Sequence, residues 1–163
     1  MGAEQIVQRF VAMETGINSQ KLRTGQLTPP EYSKIVQSAG VRVFTMSEID
    51  ERGMGACMDE AIARASDGTA GIHLSFDLDG VDPRFAPGVG TPVPGGLTYR
   101  EAHLACEKVA LSGRLLGMDV VEINPVLDTN NATAELGVDS IRVPYSGDTC
   151  LGKVSGVEVL KKN

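Results

Sequence analysis

Two apolar stretches, each with a carboxylate at or next to its last residue, decide the fold of this chain: GIHLSFD at residues 71–77 and LLGMDVVEI at residues 115–123. Each has the length and composition of a β-strand, and the second has so few polar residues that it suits a sheet buried on both faces. Thr98 and Glu101 form a capping box between them, which predicts a helix that runs to about Leu111. A strand, a helix and a second strand in this order favour a parallel sheet and an α/β fold.

The flanking sequence continues the alternation of strands and helices. Residues 41–46 alternate and are rich in β-branched side chains, so they predict a strand. Ser47 and Asp50 give a capping signature for a helix to about Ala65. Apolar spacing and capping residues predict three further helices, at residues 3–14, 28–40 and 132–141, whereas Pro144 and the glycines that follow it break any longer element.

Composition excludes several classes of protein. The chain has 163 residues, 42% of them hydrophobic, which fits one globular domain and rules out a wholly disordered chain. The net charge of -6 argues against nucleic acid and an anionic membrane as partners. No apolar run is long enough for a transmembrane helix, and the N-terminus lacks the features of a secretory signal. Three widely spaced cysteines suit a reducing compartment, so we expect a cytoplasmic protein.

The acids at the strand ends carry the chemistry. Asp77 and Asp79 are two residues apart, so their side chains lie on the same side of the chain if it stays extended. Two converging carboxylates without a basic neighbour repel each other, which favours a cation shared between them. The alternative is a pair of solvated aspartates in a turn. Asp82, before Pro83, is interpreted as a turn-capping residue. Glu122 needs a partner, either a cationic group of a substrate or a structural arginine.

The histidines, the cysteines and one long loop complete the residues of interest. His73 is interpreted as a structural residue of the core and His103 as peripheral. Cys57 and Cys106 fall on predicted helices and are expected to be buried, inert thiols. The loop from Gly80 to Gly96 is rich in glycine and proline, and a loop of this length inside a compact domain is usually functional.

One family resemblance covers these features. The block from Ser75 to Thr98, SFDLDGVDPRFAPGVGTPVPGGLT, resembles the signature of the ureohydrolases, the family of arginases and agmatinases. Tyr99, Arg100 and Glu101 follow in the arginase manner, and VEINP at residues 121–125 is similar to the arginase version of the last strand end. FDLDGV also resembles the opening motif of haloacid-dehalogenase-like phosphatases, but the Asp82-Pro83 continuation and the position in the chain favour the ureohydrolases.

The resemblance implies a three-layer αβα fold with a parallel sheet and a set of residue roles. Asp77 would bridge two manganese ions and Asp79 would bind one of them, while Thr91 and Glu122 would lie near the guanidinium group of the substrate. The implied reaction is the hydrolysis of L-arginine to L-ornithine and urea in the urea cycle and arginine metabolism. Arg100 and Glu101 would belong to the subunit interface of a homo-oligomer, a trimer or hexamer in the family.

The resemblance is confined to the C-terminal half of the family domain. The family takes its other metal ligands from a Gly-Gly-Asp-His motif and an Asp-Ala-His-x-Asp motif, and neither occurs in this sequence. We therefore divide the chain into an atypical N-terminal segment (residues 1–26), an arginase-like part (residues 27–141) and a divergent tail (residues 142–163). The alternative to an arginase-type enzyme is a non-catalytic subunit or fragment that associates with a full-length partner; an agmatinase or another guanidino hydrolase is less favoured.

Overall fold

The computed structural model of the protein describes residues 11–14, 34, 38, 40–146, 148–149 and 152–153. The elements in chain order are β1 (Val11–Glu14), β2 (Arg42–Thr45), α1 (Met46–Arg52), α2 (Met54–Ser66), β3 (Ile72–Asp77), α3 (Tyr99–Leu111), β4 (Leu115–Val121), α4 (Ala132–Ser146), β5 (Asp148–Thr149) and β6 (Gly152–Lys153). A short 3₁₀ turn, Leu78–Gly80, follows β3 directly.

The strands among the described residues form three pairs. β1 pairs with β2 and β3 pairs with β4, both in parallel, while β5 and β6 form a small antiparallel pair. The connection from β3 to β4 contains α3, as a parallel crossover requires. This strand–helix–strand unit confirms the α/β fold class.

Two hydrophobic clusters hold the helices against β3. The first cluster joins Phe44 of β2 to α1, α2 and α3 and includes Ile72 at the start of β3. The second joins Phe76 and Leu78 to α3 and α4 through side chains such as Cys106 and Leu136. Because α3 contributes to both clusters, it is the element that fixes the end of β3 relative to the rest of the described core.

One face of the β3–β4 pair differs from the prediction of a sheet buried on both faces. His73, Ser75 and Asp119 lie on this face and are exposed, and Val121 at its end is 40% exposed. The opposite face carries Ile72 and Phe76, which are buried against the helices. In the part of the chain that the structure describes, the β3–β4 pair is therefore packed against helices on one face only.

Several helix predictions need correction. Residues 11–14, expected in a helix, form strand β1, because they pair with β2 along its length; residues 3–10 lie outside the described part. The helix expected from Ser47 is capped instead by Thr45 and is divided at Gly53, whose φ of 81° ends α1 and begins α2. The last helix continues past Arg142 to Ser146, so Pro144 does not break it.

Other predictions agree with the structure or fall outside it. The Thr98–Glu101 capping box begins α3 as predicted, with both reciprocal hydrogen bonds present. Of the helix expected at residues 28–40, Lys34 and Ser38 are helical and Gly40, the predicted stop, has a φ of 72°; the other residues lie outside the described part. No helix among the described residues is long and apolar enough to cross a membrane.

Candidate functional site

Parallel pairing of β3 with β4 brings two of the predicted acids to one edge of the sheet. Asp77, the last residue of β3, lies opposite Val121, the last residue of β4, and Glu122 follows Val121 directly. In parallel sheets the carboxyl ends of the strands form the edge at which ligands bind. The structure therefore gathers Asp77 and Glu122 at this edge, while their roles remain predictions.

The two aspartates do not continue an extended strand, as the spacing argument assumed. The Asp77 carboxylate accepts a hydrogen bond from the Asp79 backbone N–H at 2.9 Å, and this bond turns the chain into the 3₁₀ turn. Asp79 is therefore directed inward and is only 6% exposed. Displacement of water from the Asp77 carboxyl raises its pKa, and the nearby Asp79 charge acts in the same direction.

Thr91 holds the Asp79 carboxylate from the long loop. The Thr91 hydroxyl donates to Oδ2 of Asp79, and the Thr91 backbone N–H donates to Oδ1 at 3.4 Å. The family resemblance implies that Thr91 lies near the substrate and that Asp79 binds a metal ion. Their direct contact was missed, because nothing in a spacing of twelve residues indicates that the loop returns to the strand end.

Asp82 fixes the ends of the same loop and confirms its interpretation as a turn-capping residue. It accepts hydrogen bonds from the Arg84 side chain at 2.8 Å, from the Arg84 N–H at 3.0 Å and from the Gly95 N–H at 2.8 Å. The Arg84 guanidinium, followed by these two N–H groups, holds the pKa of the Asp82 carboxyl well below its usual range. Asp82 is 3% exposed, and its carboxylate holds the two ends of the loop together.

Gly88 joins this loop to the segment that follows β4. Its N–H donates to Oγ1 of the buried Thr133 at 2.7 Å, and its carbonyl accepts from the Asn124 N–H at 2.8 Å. A Cβ atom at Gly88 would lie 2.4 Å from Cβ of Asp128. Only glycine fits this close approach, which brings the Gly88–Thr91 segment beside the residue after β4.

Glu122 has a backbone conformation that is unusual for its residue type. Its φ is 67°, in the left-handed region that favours glycine, and its side chain is exposed. A Cβ atom at Gly90 would lie 3.2 Å from Oε2 of Glu122, so the carboxylate reaches the loop near Thr91. A residue held in such a conformation is a candidate for function, because the strain has to be offset by the surrounding structure.

The described residues do not fit a two-manganese centre by themselves. Asp77 and Asp79 offer the oxygen donors that manganese accepts, and each oxygen of Asp79 also accepts one hydrogen bond from Thr91. Among the residues that the structure describes, no three histidine, cysteine, aspartate or glutamate side chains are grouped closely enough to hold a metal ion.

Both histidines differ from their predicted environments. His73 is exposed, not in the core, and its Nε2 lies 2.7 Å from Oδ2 of Asp119, whose Oδ1 accepts from Ser75. The reason is that β3 buries only one face, and His73 lies on the other. His103, expected to be peripheral, is 3% exposed and stacks on Tyr99 with ring centroids 4.6 Å apart.

The predicted interface pair makes contacts within the chain. Glu101 accepts hydrogen bonds from the Thr98 N–H and hydroxyl, both at 2.8 Å, as part of the capping box. Arg100 donates two hydrogen bonds, at 2.9 and 2.8 Å, to Glu107, which is 5% exposed. Half of the Arg100 side chain remains exposed. Its role between subunits stays a prediction.

The expected inert thiols are buried. Cys57 and Cys106 are both free and fully buried. Burial raises the pKa of the Cys106 thiol to about 12 and also raises that of Cys57. Neither thiol is therefore a reactive group of the site.

Comparison with known proteins identifies the family. The arginase of Brevibacillus brevis is 52% identical over 105 residues, which are 64% of this chain and 35% of that protein. The solved arginase of Bacillus caldovelox matches with a TM-score of 0.67 and 47% identity, over 69% of this chain and 38% of that one. The arginase of Entamoeba histolytica in complex with L-ornithine matches with a TM-score of 0.65 and 29% identity, over 82% and 42% of the two chains.

These matches also show how much of the relatives and of this chain is similar. The chain spans 35% of the length of the Brevibacillus brevis relative. The model of the arginase family matches residues 4–143. The match therefore begins upstream of residue 27, where the sequence alone placed the start of the arginase-like part. Because this match includes most of the chain, the protein belongs to the arginase family.

Proposed function

We propose that this chain carries the carboxylate-bearing part of an arginase-type hydrolytic site, which uses manganese to hydrolyse L-arginine to L-ornithine and urea. The observation that carries the proposal is the meeting of Asp77, the Asp79–Thr91 pair and Glu122 at the carboxyl edge of β3 and β4. Family membership supports the hydrolase class, and the names of the relatives favour arginine over agmatine.

The residues divide between two chemical tasks. Asp77 and Asp79 provide hard oxygen donors, which suit manganese. Glu122 provides an exposed negative charge, which suits a guanidinium group through charge-assisted hydrogen bonds. The Entamoeba histolytica arginase was solved with L-ornithine, which supports an amino-acid product of this kind.

The complete reaction needs ligands beyond the described carboxylates. Two aspartates give a cation few donors, and the histidine motifs of the family do not occur in the sequence. Metal affinity and the activation of a metal-bound water both depend on a full ligand set. We therefore expect the isolated chain to bind manganese weakly and to release no urea from arginine.

The proposal also includes a cellular compartment and an oligomeric state. Free buried cysteines fit the reducing conditions of the cytoplasm. A homo-oligomer of the trimeric or hexameric kind is proposed from the family resemblance. The alternative of a non-catalytic subunit that joins a full-length partner is not favoured, because the matching family model and the named relatives are those of arginases.

A chimera tests the proposal. Residues of this chain replace the matching 105 residues of the Brevibacillus brevis arginase, and urea release from arginine and from agmatine is measured with added manganese. We expect turnover of arginine that is abolished by a chelator and by Asp77→Asn. Glu135→Gln, which removes an exposed carboxylate on α4, is the matched control and should leave turnover unchanged.

Two results would contradict this proposal. A folded chimera without arginine turnover would mean that these residues do not form an arginase-type site. Turnover by the isolated 163-residue chain, lost with a chelator, would mean that the described carboxylates need no further ligands.

A further inference from the structure

Thr133 is a buried polar residue at the start of α4. It is the second residue of the helix, and its side chain is 0% exposed. Its Oγ1 atom accepts the hydrogen bond from the Gly88 N–H at 2.7 Å, and its own N–H donates to the Asp128 carboxylate at 3.1 Å. Because the contact with Gly88 is buried, water cannot replace either partner, and loss of the hydroxyl leaves the Gly88 N–H unsatisfied.

Gly88 connects this hydroxyl to the residue after β4. Its N–H faces Thr133, and its carbonyl accepts from the Asn124 N–H at 2.8 Å. Two residues further along these two segments are Gly90 and Glu122, and a Cβ atom at Gly90 would lie 3.2 Å from Oε2 of Glu122. The position of Gly88 therefore determines how the loop approaches the Glu122 carboxylate.

The Gly88 segment is closely packed. Gly88 and Val89 are buried, and Val89 belongs to the second hydrophobic cluster. A Cβ atom at Gly88 would lie 2.4 Å from Cβ of Asp128, beside the start of α4. A closely packed interior transmits a displacement to its neighbours. A shift of Gly88 therefore reaches Asn124 and then Glu122, whose φ of 67° has to be maintained by the surrounding structure.

We propose that Thr133 is a positioning residue for Glu122 and acts on it through the backbone of Gly88 and Asn124. Thr133 does not touch the substrate; it fixes the two segments that approach each other at Gly90 and Glu122. The inference rests on the proposed function for the ligand of Glu122, a guanidinium group. It extends the candidate site to α4, where the family resemblance assigns no residue.

Hydrogen exchange of the full chain tests the connection. Thr133→Val keeps the shape of the side chain and removes the acceptor, whereas Thr133→Ser restores a hydroxyl. A buried donor without an acceptor changes an opening equilibrium about tenfold. We expect the Asn124 amide, which is bonded to Gly88 and not to Thr133, to exchange about tenfold faster in Thr133→Val and to recover its protection in Thr133→Ser.

Two controls separate this effect from a general loss of stability. Ser140→Ala removes another fully buried hydroxyl of α4, which donates to the Leu136 carbonyl at 2.8 Å, and should leave the Asn124 amide unchanged. The Gly95 amide, which donates to Asp82 near the other end of the loop, should keep its exchange rate in all three variants. Unchanged exchange of Asn124 in folded Thr133→Val would overturn the proposal, and so would equal acceleration in Ser140→Ala.

The unmodified chain provides a test that does not depend on the folding of a variant. If Gly88 holds both contacts as one unit, the amides of Gly88 and Asn124 open together and have the same protection against exchange. Faster opening of Asn124, with Gly88 still protected, would show that the strand end moves independently of Thr133 and would overturn the proposal.

Binding of L-arginine distinguishes the inference from the proposed function. The carbon-13 resonance of the Glu122 carboxyl should shift with added L-arginine and not with L-citrulline, which has no positive charge on its side chain. The shift should be lost in Thr133→Val and restored in Thr133→Ser. An equal shift in Thr133→Val and the unmodified chain would overturn the positioning role. If the unmodified chain shows no shift, the ligand proposed for Glu122 is wrong, whereas the exchange of Asn124 still decides whether Thr133 fixes the strand end.

Discussion

Gly88→Ala is the substitution whose effect the structure determines most directly. An added Cβ would lie 2.4 Å from Cβ, 2.5 Å from Cγ and 2.7 Å from Cα of Asp128. Rotation of the Asp128 side chain cannot relieve a contact with its Cα. The Asp128 carboxylate is also held by the N–H groups of Thr133 and Ala134 at the start of α4. The two loops must therefore separate.

The expected loss follows from the cost of overpacking. Forcing a methyl group into a closed contact costs about 1–3 kcal/mol, and we expect about 2 kcal/mol because backbone has to move. For a chain of this size each kcal/mol shifts Tm by roughly 2–4 °C. Thermal unfolding followed by circular dichroism should therefore give a decrease in Tm of roughly 6 °C.

Gly55→Ala is the matched control for this prediction. Gly55 lies in α2, and the nearest atom to an added Cβ is Cε of Lys108 at an ordinary 3.8 Å. Because alanine favours a helix over glycine, Tm should not fall. If Gly88→Ala unfolds at the same temperature as Gly55→Ala, the close approach of the two loops is wrong.

Three further predictions concern charged residues. Hydrogen bonding to the Arg42 guanidinium is the largest cause that lowers the pKa of Glu60 from 4.5 to about 2. The ionised Glu60 therefore stabilises the fold fully above about pH 4.5, and this stabilisation is lost as the pH falls towards 2. Glu60→Gln should make Tm less dependent on pH between these two values. Glu101→Ala should lower the free energy of unfolding by about 1 kcal/mol, measured in urea, whereas Glu101→Gln keeps the acceptor of the capping box and should lose less. Arg100→Ala, which removes a half-exposed guanidinium that the interface prediction places between subunits, should weaken self-association in size-exclusion chromatography with light scattering while helix content is retained. A monomeric profile of the unmodified chain would contradict the interface prediction.

Local signals in the sequence predict the central unit of the fold well. β3 and β4 lie in short stretches that are rich in apolar residues, and α3 begins at a capping box, so each is defined by neighbouring residues alone. The same holds for Asp82, whose position before a proline indicates a turn. The meeting of Asp77 and Glu122 also follows from sequence, because parallel strands end at one edge.

Features that depend on distant contacts could not be predicted in this way. Residues 11–14 have apolar spacing that suits a helix, but pairing with β2 makes them a strand. The surroundings of His73 depend on which face of β3 is covered, which is a property of packing. The contact of Thr91 with Asp79 depends on the path of the whole Gly80–Gly96 loop, and no local pattern specifies that path.

The conformation of Glu122 has a consequence for the stability of variants. A non-glycine residue at a φ of 67° costs about 1–2 kcal/mol relative to glycine. Selection for heat resistance alone would therefore favour Glu122→Gly, which relaxes the backbone and removes the charge proposed to hold the substrate. Stability and ligand recognition are opposed at this residue, and a library enriched only by melting temperature would lose the carboxylate.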